Sequence, residues 1–157
     1  MSRKITALIM LGKGGTSNCE ALVHNARRKA AIYTVQKLSR IDKVENIIVA
    51  VPQQEKYVWE QDNYFNNSSE NVIWDLDPSD HPFHFGRRVS EIVRKNNLEC
   101  MLYIGGASMP LLKLTILEEV IDKLIKARDK YAITNNFHSS DWLGITDGSV
   151  IPMLTKW

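Results

Sequence analysis

Short apolar segments that alternate with amphipathic helical patterns constrain the fold of this chain more than any other feature. Residues 5–11 and 44–51 are apolar over most of their length and are followed by glycine and by proline, respectively. Such runs are typical of strands buried on both faces of a parallel sheet. Strand and helix patterns alternate about four times along the 157 residues, which predicts an α/β fold with a mainly parallel sheet and right-handed crossovers.

The remaining elements are predicted from the same periodicities. Further strands are predicted at 71–76, 98–104 and 130–134, and helices at 25–41, 53–62, 86–97 and 114–128. Near the end of the chain, two short strand patterns at 143–146 and 150–154 flank Asp147-Gly148, a dipeptide typical of hairpin turns. In an open parallel sheet, ligands bind beyond the carboxyl ends of the strands. The loops after Leu11, Val51 and Ile104 are therefore the expected positions of a binding site.

Composition narrows the possible classes of function. The chain is 44% hydrophobic and 24% charged, as in an ordinary globular protein. Its formal net charge of +2 is too small to indicate a nucleic-acid partner, which usually requires a clustered basic surface. No apolar run approaches the roughly 20 residues of a membrane span, and Cys19 and Cys100 indicate neither a disulfide framework nor a zinc site. We expect one cytoplasmic domain over residues 1–157.

The loop that begins at Leu11 and contains Gly12, Lys13, Gly14 and Gly15 is the strongest candidate for a binding site. Glycine permits close approach of a ligand to the backbone, and N–H groups at a helix start attract anions. The spacing matches neither standard nucleotide fingerprint, because the lysine precedes the glycine pair and no third glycine follows at the dinucleotide-binding position. A phosphate-binding loop and a plain strand-to-helix turn are both compatible with these residues.

Four segments resemble the α/β nucleotidyltransferases, which include the cytidylyltransferase of isoprenoid synthesis, the molybdenum-cofactor guanylyltransferase and the sugar-phosphate nucleotidyltransferases. The family's opening strand, glycine-rich loop and helix resemble, in their order and spacing, the segment ALIMLGKGGTSNCEALVHNARRKAAIYTVQKL. Its second strand resembles NIIVAVP. FHFGRRVSEIV resembles the family's R-x-x-S helix start, with Arg87 and Ser90 at the matching positions. YIGGASMPLL resembles the segment that reaches the family's metal site. Together the resemblance runs over residues 4–135.

The resemblance implies a three-layer α/β/α fold of the nucleotide-diphospho-sugar transferase type. It also implies an enzyme that transfers a nucleotidyl group from a nucleoside triphosphate to a phosphorylated or sugar-like small-molecule acceptor, with release of pyrophosphate. In that role the loop of Leu11, Gly12, Gly14 and Gly15, with Lys13, would hold the β- and γ-phosphates, and Arg28 or Lys29 would lie near the α-phosphate. The other implied nucleotide contacts are Pro52 and Gln53 at the base, Gly105, Gly106 and Ala107 at the ribose and metal side, and Arg87 with Ser90.

A magnesium ion is a further implication, because the family holds one with an aspartate at the position of Gly106. This chain has glycine at that position; Asp141 is one candidate metal ligand, and the acidic run of Asp75, Asp77 and Asp80 is a second. Two other functions therefore stay open. One is a catalytically inactive module that binds nucleotide or a partner, and the other is a glycosyltransferase-like domain that binds a metal through Asp75 and Asp77.

Overall fold

A six-stranded sheet forms the middle layer of the protein. The computed structural model describes residues 3–61, 71–78, 82–136 and 141–154. The strands are β1 (Ile5–Met10), β2 (Val44–Val51), β3 (Val72–Leu76), β4 (Met101–Gly105), β5 (Ala132–Thr134) and β6 (Trp142–Ile145). Their order is β3-β2-β1-β4-β6-β5. Strands β1 to β4 are parallel, and β6 runs antiparallel to both of its neighbours.

Helices cover both faces of this sheet. They are α1 (Asn18–Leu38), α2 (Gln53–Glu60), α3 (Phe85–Lys95), α4 (Leu114–Lys126), a 3-10 turn (Gly148–Val150) and α5 (Ile151–Leu154). Helices α1, α2 and α4 pack on one face against strand residues such as Ile9 and Val49, whereas α3 and the C-terminal turn pack on the other against Leu8 and Ile48. Burial of both faces explains the continuous apolar runs and confirms the three-layer α/β/α prediction. None of the described helices is both long and apolar enough to cross a membrane.

The first helix begins earlier than the predicted residue 25. The Ser17 hydroxyl accepts a hydrogen bond from the Glu20 N–H at 3.3 Å, and the Glu20 carboxylate accepts one from the Ser17 N–H at 3.0 Å. This reciprocal capping box fixes the start of α1 at Asn18. Helical periodicity misses the first turns because Leu22 and Val23 are exposed there rather than buried.

The predicted strand at 150–154 and its hairpin are wrong. The Asp147 carboxylate accepts a hydrogen bond from the Ser149 N–H at 3.1 Å, and the Gly148 N–H donates one to the Glu99 carbonyl at 2.6 Å. These bonds start a helical turn instead of a return strand, and the segment packs beside α3. The antiparallel partners of β6 are β4 and β5, with Thr134 of β5 opposite Leu143.

Candidate functional site

The two glycine segments of the sequence meet at the carboxyl edge of the sheet. Strands β1 and β4 are neighbours, with Met10 paired to Gly105, so the loops that follow them leave the sheet side by side. The Gly106 N–H donates a hydrogen bond to the Met10 carbonyl at 2.8 Å. A Cβ atom on Gly106 would lie 2.5 Å from Leu11 Cδ1. Glycine is therefore the residue that allows the two segments to pack this closely.

Strand β1 is also the point at which the chain changes its direction across the sheet. The chain passes from β1 outward to β2 and β3, and then returns to the other side of β1 as β4. At such a switch point the following loops diverge and leave a crevice at the carboxyl edge, which is where open α/β sheets bind ligands. Residues 12–15 and 105–107 belong to the loops that follow the two strands at this switch point, β1 and β4.

A cavity of about 400 Å³ opens beside the glycine loop, between the ends of β1, β2 and β3 and helix α3. Predicted site residues that line it are Gly12, Lys13, Pro52, Gln53 and Arg87. Its wall also includes Asp77, Phe83, Arg88 and Glu91. The volume falls in the range of small-molecule sites, which is roughly 300–1,000 Å³.

Two basic side chains at the cavity are available to an anion. Lys13 and Arg87 are exposed, and within the described ranges neither side chain forms an ion pair. The main-chain N–H groups of Gly12 and Lys13 likewise donate to no acceptor in the described part of the chain. Free cations next to free N–H groups provide the donors that phosphate oxygens accept from.

A third basic side chain at the cavity, Arg88, is occupied. It is only 6% exposed, and its Nη2 donates to the Asp75 and Leu76 carbonyls, both at 3.0 Å, and to the Asp75 carboxylate. Its Nε donates to Asp77 Oδ1 at 3.1 Å, and Lys95 Nζ lies 2.8 Å from Asp75 Oδ2. Burial by itself would raise the pKa of Asp75, but the hydrogen bonds from Lys95 and Arg88 outweigh it and lower that pKa.

This network disfavours the possibility that Asp75 and Asp77 bind a metal, which stays a prediction; Asp80 lies outside the described residues. Both oxygens of Asp75 are taken by cations, and Asp77 gives one oxygen to Arg88. A divalent ion would have to displace a buried guanidinium and leave it without partners, which is strongly unfavourable. The two carboxylates instead tie α3 to the end of β3, and a glycosyltransferase-like use of them as metal ligands is not supported by this geometry.

The second half of the glycine loop packs against α1 and does not line the cavity. A Cβ atom on Gly14 would lie 2.8 Å from Cγ of the His24 ring, and one on Gly15 would collide with the Glu20 carboxylate. Hydrogen bonds from the side chain and main chain of Ser17 stabilise the ionised form of Glu20 and lower its pKa. The N-terminus of α1 is thus capped by a carboxylate of its own chain.

The structure does not bring Arg28, Lys29 or Ser90 to the cavity. Arg28 lies well inside α1, with Nη1 3.9 Å from Glu55 Oε2, and Lys29 is exposed on the same helix. Ser90 is buried on α3, and its hydroxyl has no hydrogen-bond partner among the described residues. Their roles at a nucleotide remain predictions.

Asp141 lies on the other side of the glycine turn, immediately before β6. Its carbonyl accepts hydrogen bonds from the Gly105 N–H at 2.8 Å and from Ser108 Oγ at 2.9 Å. Asn135 Nδ2 donates to Asp141 Oδ2 at 2.9 Å and orients this exposed carboxylate. Burial raises the pKa of Tyr103, and the charge of Asp141 raises it further. Asp141 is therefore held next to the turn formed by residues 105–107.

A carboxylate in this place fits one ligand of a magnesium ion. In nucleotide sites Mg²⁺ is usually bound by one or two carboxylates together with substrate phosphates and water. Across residues 3–61, 71–78, 82–136 and 141–154, no cluster of three acidic, histidine or cysteine side chains could hold a metal. The side chains fit an ion that arrives with a triphosphate, rather than a permanent metal centre.

Three residues of this edge are not predicted by the sequence patterns: Phe83, Arg88 and Asn135. Arg88 lies on the buried face of α3, next to Val89. The Asp-x-Asp sequence at the end of β3 is the feature that could have indicated its two carboxylate partners. For Phe83 and Asn135, no pattern distinguishes them from ordinary loop residues before the fold is known.

Comparison with solved structures gives similarity over almost the whole chain, whereas no family model and no curated protein matches the sequence. A 4-diphosphocytidyl-2C-methyl-D-erythritol synthase from Anaerococcus prevotii is 13% identical, with a TM-score of 0.63 over 99% of this chain and 74% of that one. A cytidylyltransferase from Leptospira borgpetersenii is 15% identical, with a TM-score of 0.67 over 98% and 64%. A CMP:2-keto-3-deoxy-manno-octonic acid synthetase solved with CTP is 10% identical, with a TM-score of 0.62 over 98% and 78%.

These similarities concern the fold. The mainly parallel sheet of the nucleotide-diphospho-sugar transferase type is confirmed, and the resemblance noted in the sequence extends to the three-dimensional arrangement. The chain spans between 64% and 78% of the lengths of the three proteins compared above.

Proposed function

We propose that this chain is a nucleotidyltransferase-like domain that binds a nucleoside triphosphate in the crevice between residues 12–15 and 105–107. The observation that carries the proposal is the contact of the two glycine segments, through the Gly106 N–H and the Met10 carbonyl at 2.8 Å, beside a cavity that holds Lys13 and Arg87. All six described strands belong to one sheet, and we propose a single domain over residues 1–157. The similar structures support the proposal, since they include a cytidylyltransferase and a synthetase solved with CTP.

The proposed reaction transfers a nucleotidyl group to a phosphorylated or sugar-like acceptor. An acceptor oxygen attacks the α-phosphorus, the bond from that phosphorus to the bridging oxygen breaks, and pyrophosphate leaves with the electron pair. The protein has little covalent chemistry to perform in such a reaction. Its contribution is to hold the reacting groups in line and to stabilise the charge that develops on the phosphate oxygens.

Each side of the crevice has a distinct proposed role. Lys13, Arg87 and the N–H groups of Gly12 and Lys13 hold the β- and γ-phosphates, because these donors at the cavity have no acceptor among the described residues. Pro52 and Gln53 line the same cavity and face the base. Residues 105–107 lie across the crevice, where their small side chains leave room for the ribose.

Asp141 is the proposed ligand of a magnesium ion bound with the triphosphate. Such an ion, when bound, neutralises phosphate oxygens and favours the departure of pyrophosphate. The Asp141 carboxylate is exposed, and Asn135 holds it in one orientation at 2.9 Å. Gly105 and Ser108 fix its main chain against the glycine turn. These contacts orient the carboxylate, before any ligand binds, at the carboxyl edge of the sheet, where the phosphates would bind.

Gly106 favours a second candidate function, a module that binds nucleotide without turning it over. The aspartate that the resemblance implies at this position is absent, so the metal would depend on Asp141. Both functions predict nucleotide binding in the crevice, and only the first predicts chemistry. Release of pyrophosphate therefore separates them.

The test has two stages that use the full chain. A thermal-shift titration with ATP, CTP, GTP and UTP, each with and without Mg²⁺, asks whether any triphosphate binds; a ligand at a hundred times its dissociation constant adds about 2.7 kcal/mol of stability. A coupled pyrophosphate assay with phosphorylated sugars and polyols as acceptors then asks for turnover. Binding with turnover supports the enzyme, binding alone supports the module, and no binding of any triphosphate would refute both.

A further inference from the structure

The cavity has an acidic wall as well as a basic one. Asp77 and Glu91 line it together with Lys13 and Arg87. A carboxylate repels phosphate, so this wall is unsuited to the triphosphate itself. It is suited to a part of the ligand that donates hydrogen bonds.

Asp77 is anchored in one orientation. Its N–H donates to the Val51 carbonyl at 3.0 Å, and its Oδ1 accepts from Arg88 Nε at 3.1 Å. The Asp77 side chain is 16% exposed, and Arg88 is itself fixed by the two β3 carbonyls. This side chain has lost most of its freedom before any ligand arrives, which reduces the entropy cost of binding.

One oxygen of Asp77 is left for a ligand. Within the described residues Oδ2 accepts no hydrogen bond, whereas Oδ1 is taken by Arg88. A single fixed carboxylate oxygen at a cavity wall accepts strongly from an N–H group and disfavours a carbonyl oxygen in the same place.

Phe83 adds an aromatic surface to the same cavity. It is 60% exposed although it lines the wall, so much of its ring area is not covered by the protein. An aromatic side chain exposed in this way stacks readily on a nucleobase, and such stacking tolerates any base. Phe83 would stack on the planar base, while the Asp77 carboxylate would accept a hydrogen bond from a donor at the edge of that base.

We propose that this cavity selects nucleoside triphosphates whose base carries the amino group of cytosine or adenine in place of a carbonyl, with Phe83 stacking on the ring and Asp77 Oδ2 accepting from the amino group. The inference rests on the proposed function and narrows its substrate class. Cytosine and adenine carry an amino group where uracil and hypoxanthine carry a carbonyl oxygen. The carbonyl would face the carboxylate and leave it without a donor.

Two matched pairs of nucleotides test the selection by isothermal titration. CTP and UTP differ at one pyrimidine position, and ATP and ITP differ at one purine position, in each case by an amino group and a carbonyl. We expect the amino-bearing member of at least one pair to bind about tenfold more tightly or better. Equal affinities within both pairs would overturn the selection and leave triphosphate binding intact. No binding by any of the four would overturn the proposed function and this inference together.

Variants of both residues sharpen the test. Asp77→Asn keeps an oxygen for Arg88 and turns an amide N–H₂ toward the ligand, so the CTP-to-UTP affinity ratio should fall at least tenfold. Asp122→Asn, a carboxylate paired with Lys43 and Lys126 away from the cavity, should leave the ratio unchanged. An unchanged ratio in a folded Asp77→Asn protein would overturn the role of Asp77.

Phe83→Ala provides a test on an exposed side chain, where loss of folding is not expected. It should weaken all four nucleotides about tenfold and leave inorganic triphosphate unaffected, because that probe has no ring. Phe85→Ala is the matched control, since Phe85 is also half exposed but packs edge-on against Tyr103 at 5.5 Å. Equal weakening of inorganic triphosphate by Phe83→Ala would contradict stacking.

Discussion

The two halves of the carboxyl edge are built differently. The cavity half, at the ends of β1, β2 and β3, contains a space of about 400 Å³ and a buried guanidinium with two carboxylate partners. The turn half, at the ends of β4 and β5 and the start of β6, is held by main-chain hydrogen bonds around Gly105 and carries the exposed Asp141. In the cavity half, a guanidinium is held by two carboxylates and two main-chain carbonyls. In the turn half, the Asp141 carboxylate is oriented by the Asn135 amide.

Under the proposed function, this difference would make nucleotide binding and chemistry separable in the chain. Of the groups that would contact a nucleotide, Asp77 is fixed by the folded core through Arg88 of α3, whereas Lys13 and Arg87 are exposed and form no ion pair within the described ranges. The groups that would act on the α-phosphate depend on Asp141 and its contact with Asn135. Substitutions in the cavity half should therefore change stability and affinity, whereas substitutions in the turn half should change metal dependence.

The largest effect is expected from Arg88→Met. Removing the guanidinium leaves Asp75, which is 2% exposed, as a buried charge with one remaining cation. Breaking a buried pair in this way costs about 3–5 kcal/mol of the free energy of unfolding, which urea denaturation measures. Lys95→Met is the matched control on the same carboxylate: its side chain is 66% exposed, and its loss should cost about 1 kcal/mol or less. Similar losses of unfolding free energy in both variants would show that the buried pair of Arg88 and Asp75 does not stabilise the cavity half more than an exposed ion pair does.

The next effect concerns affinity for the triphosphate. Lys13→Met removes a cation that has no partner among the described residues, and one charged hydrogen bond to phosphate corresponds to about 10- to 100-fold in the dissociation constant. Lys126→Met, on the far helix α4, should leave the constant unchanged. Asp141→Asn should change magnesium-free affinity by about twofold at most. Calorimetry without magnesium measures all three, and a strong loss in Asp141→Asn would contradict the division of the edge into two halves.

The turn half is tested by placing a carboxylate at Gly106. Both Gly106→Asp and Gly106→Ala introduce a Cβ atom 2.5 Å from Leu11 Cδ1, and such overpacking should lower the unfolding free energy by about 1–2 kcal/mol. Only the aspartate adds a second carboxylate ligand beside the proposed Asp141, so Mg²⁺ should strengthen triphosphate binding more in Gly106→Asp than in Gly106→Ala. Titration of both variants with and without the ion compares them. If Gly106→Ala gains the same magnesium dependence, the carboxylate is not responsible.

Particular residues show how far the sequence determines this picture. The strand at 44–51 is predictable because burial on both faces leaves a continuous apolar run, and the edge position of Lys13 and Pro52 follows from the ends of such strands. The pairs Arg88 with Asp75 and Asn135 with Asp141 are not predictable, because they depend on strand order and on the rotation of α3. The cavity cannot be predicted from the sequence for the same reason, since the residues that line it come from segments far apart in the chain.

The smallest effect is expected at Glu20, whose carboxylate lies against the second half of the glycine loop. The Glu20 carboxylate caps the N-terminus of α1 and lies against Gly15, so it repels an anion at the loop. Glu20→Gln keeps a capping acceptor and removes the charge. Affinity for inorganic triphosphate should then rise about two- to fivefold at low salt, the usual size of a charge effect at a helix end.

The matched control for this change is Glu119→Gln, which neutralises an exposed carboxylate on α4 and should leave the affinity unchanged. The gain in Glu20→Gln should shrink as salt is added, because exposed charges are screened within about 10 Å at 0.1 M ionic strength. A gain that is independent of salt would point to a change in loop shape instead of charge. A loss of affinity would mean that the capping box, by holding residues 12–15 in place, contributes more to the phosphate site than its negative charge takes away.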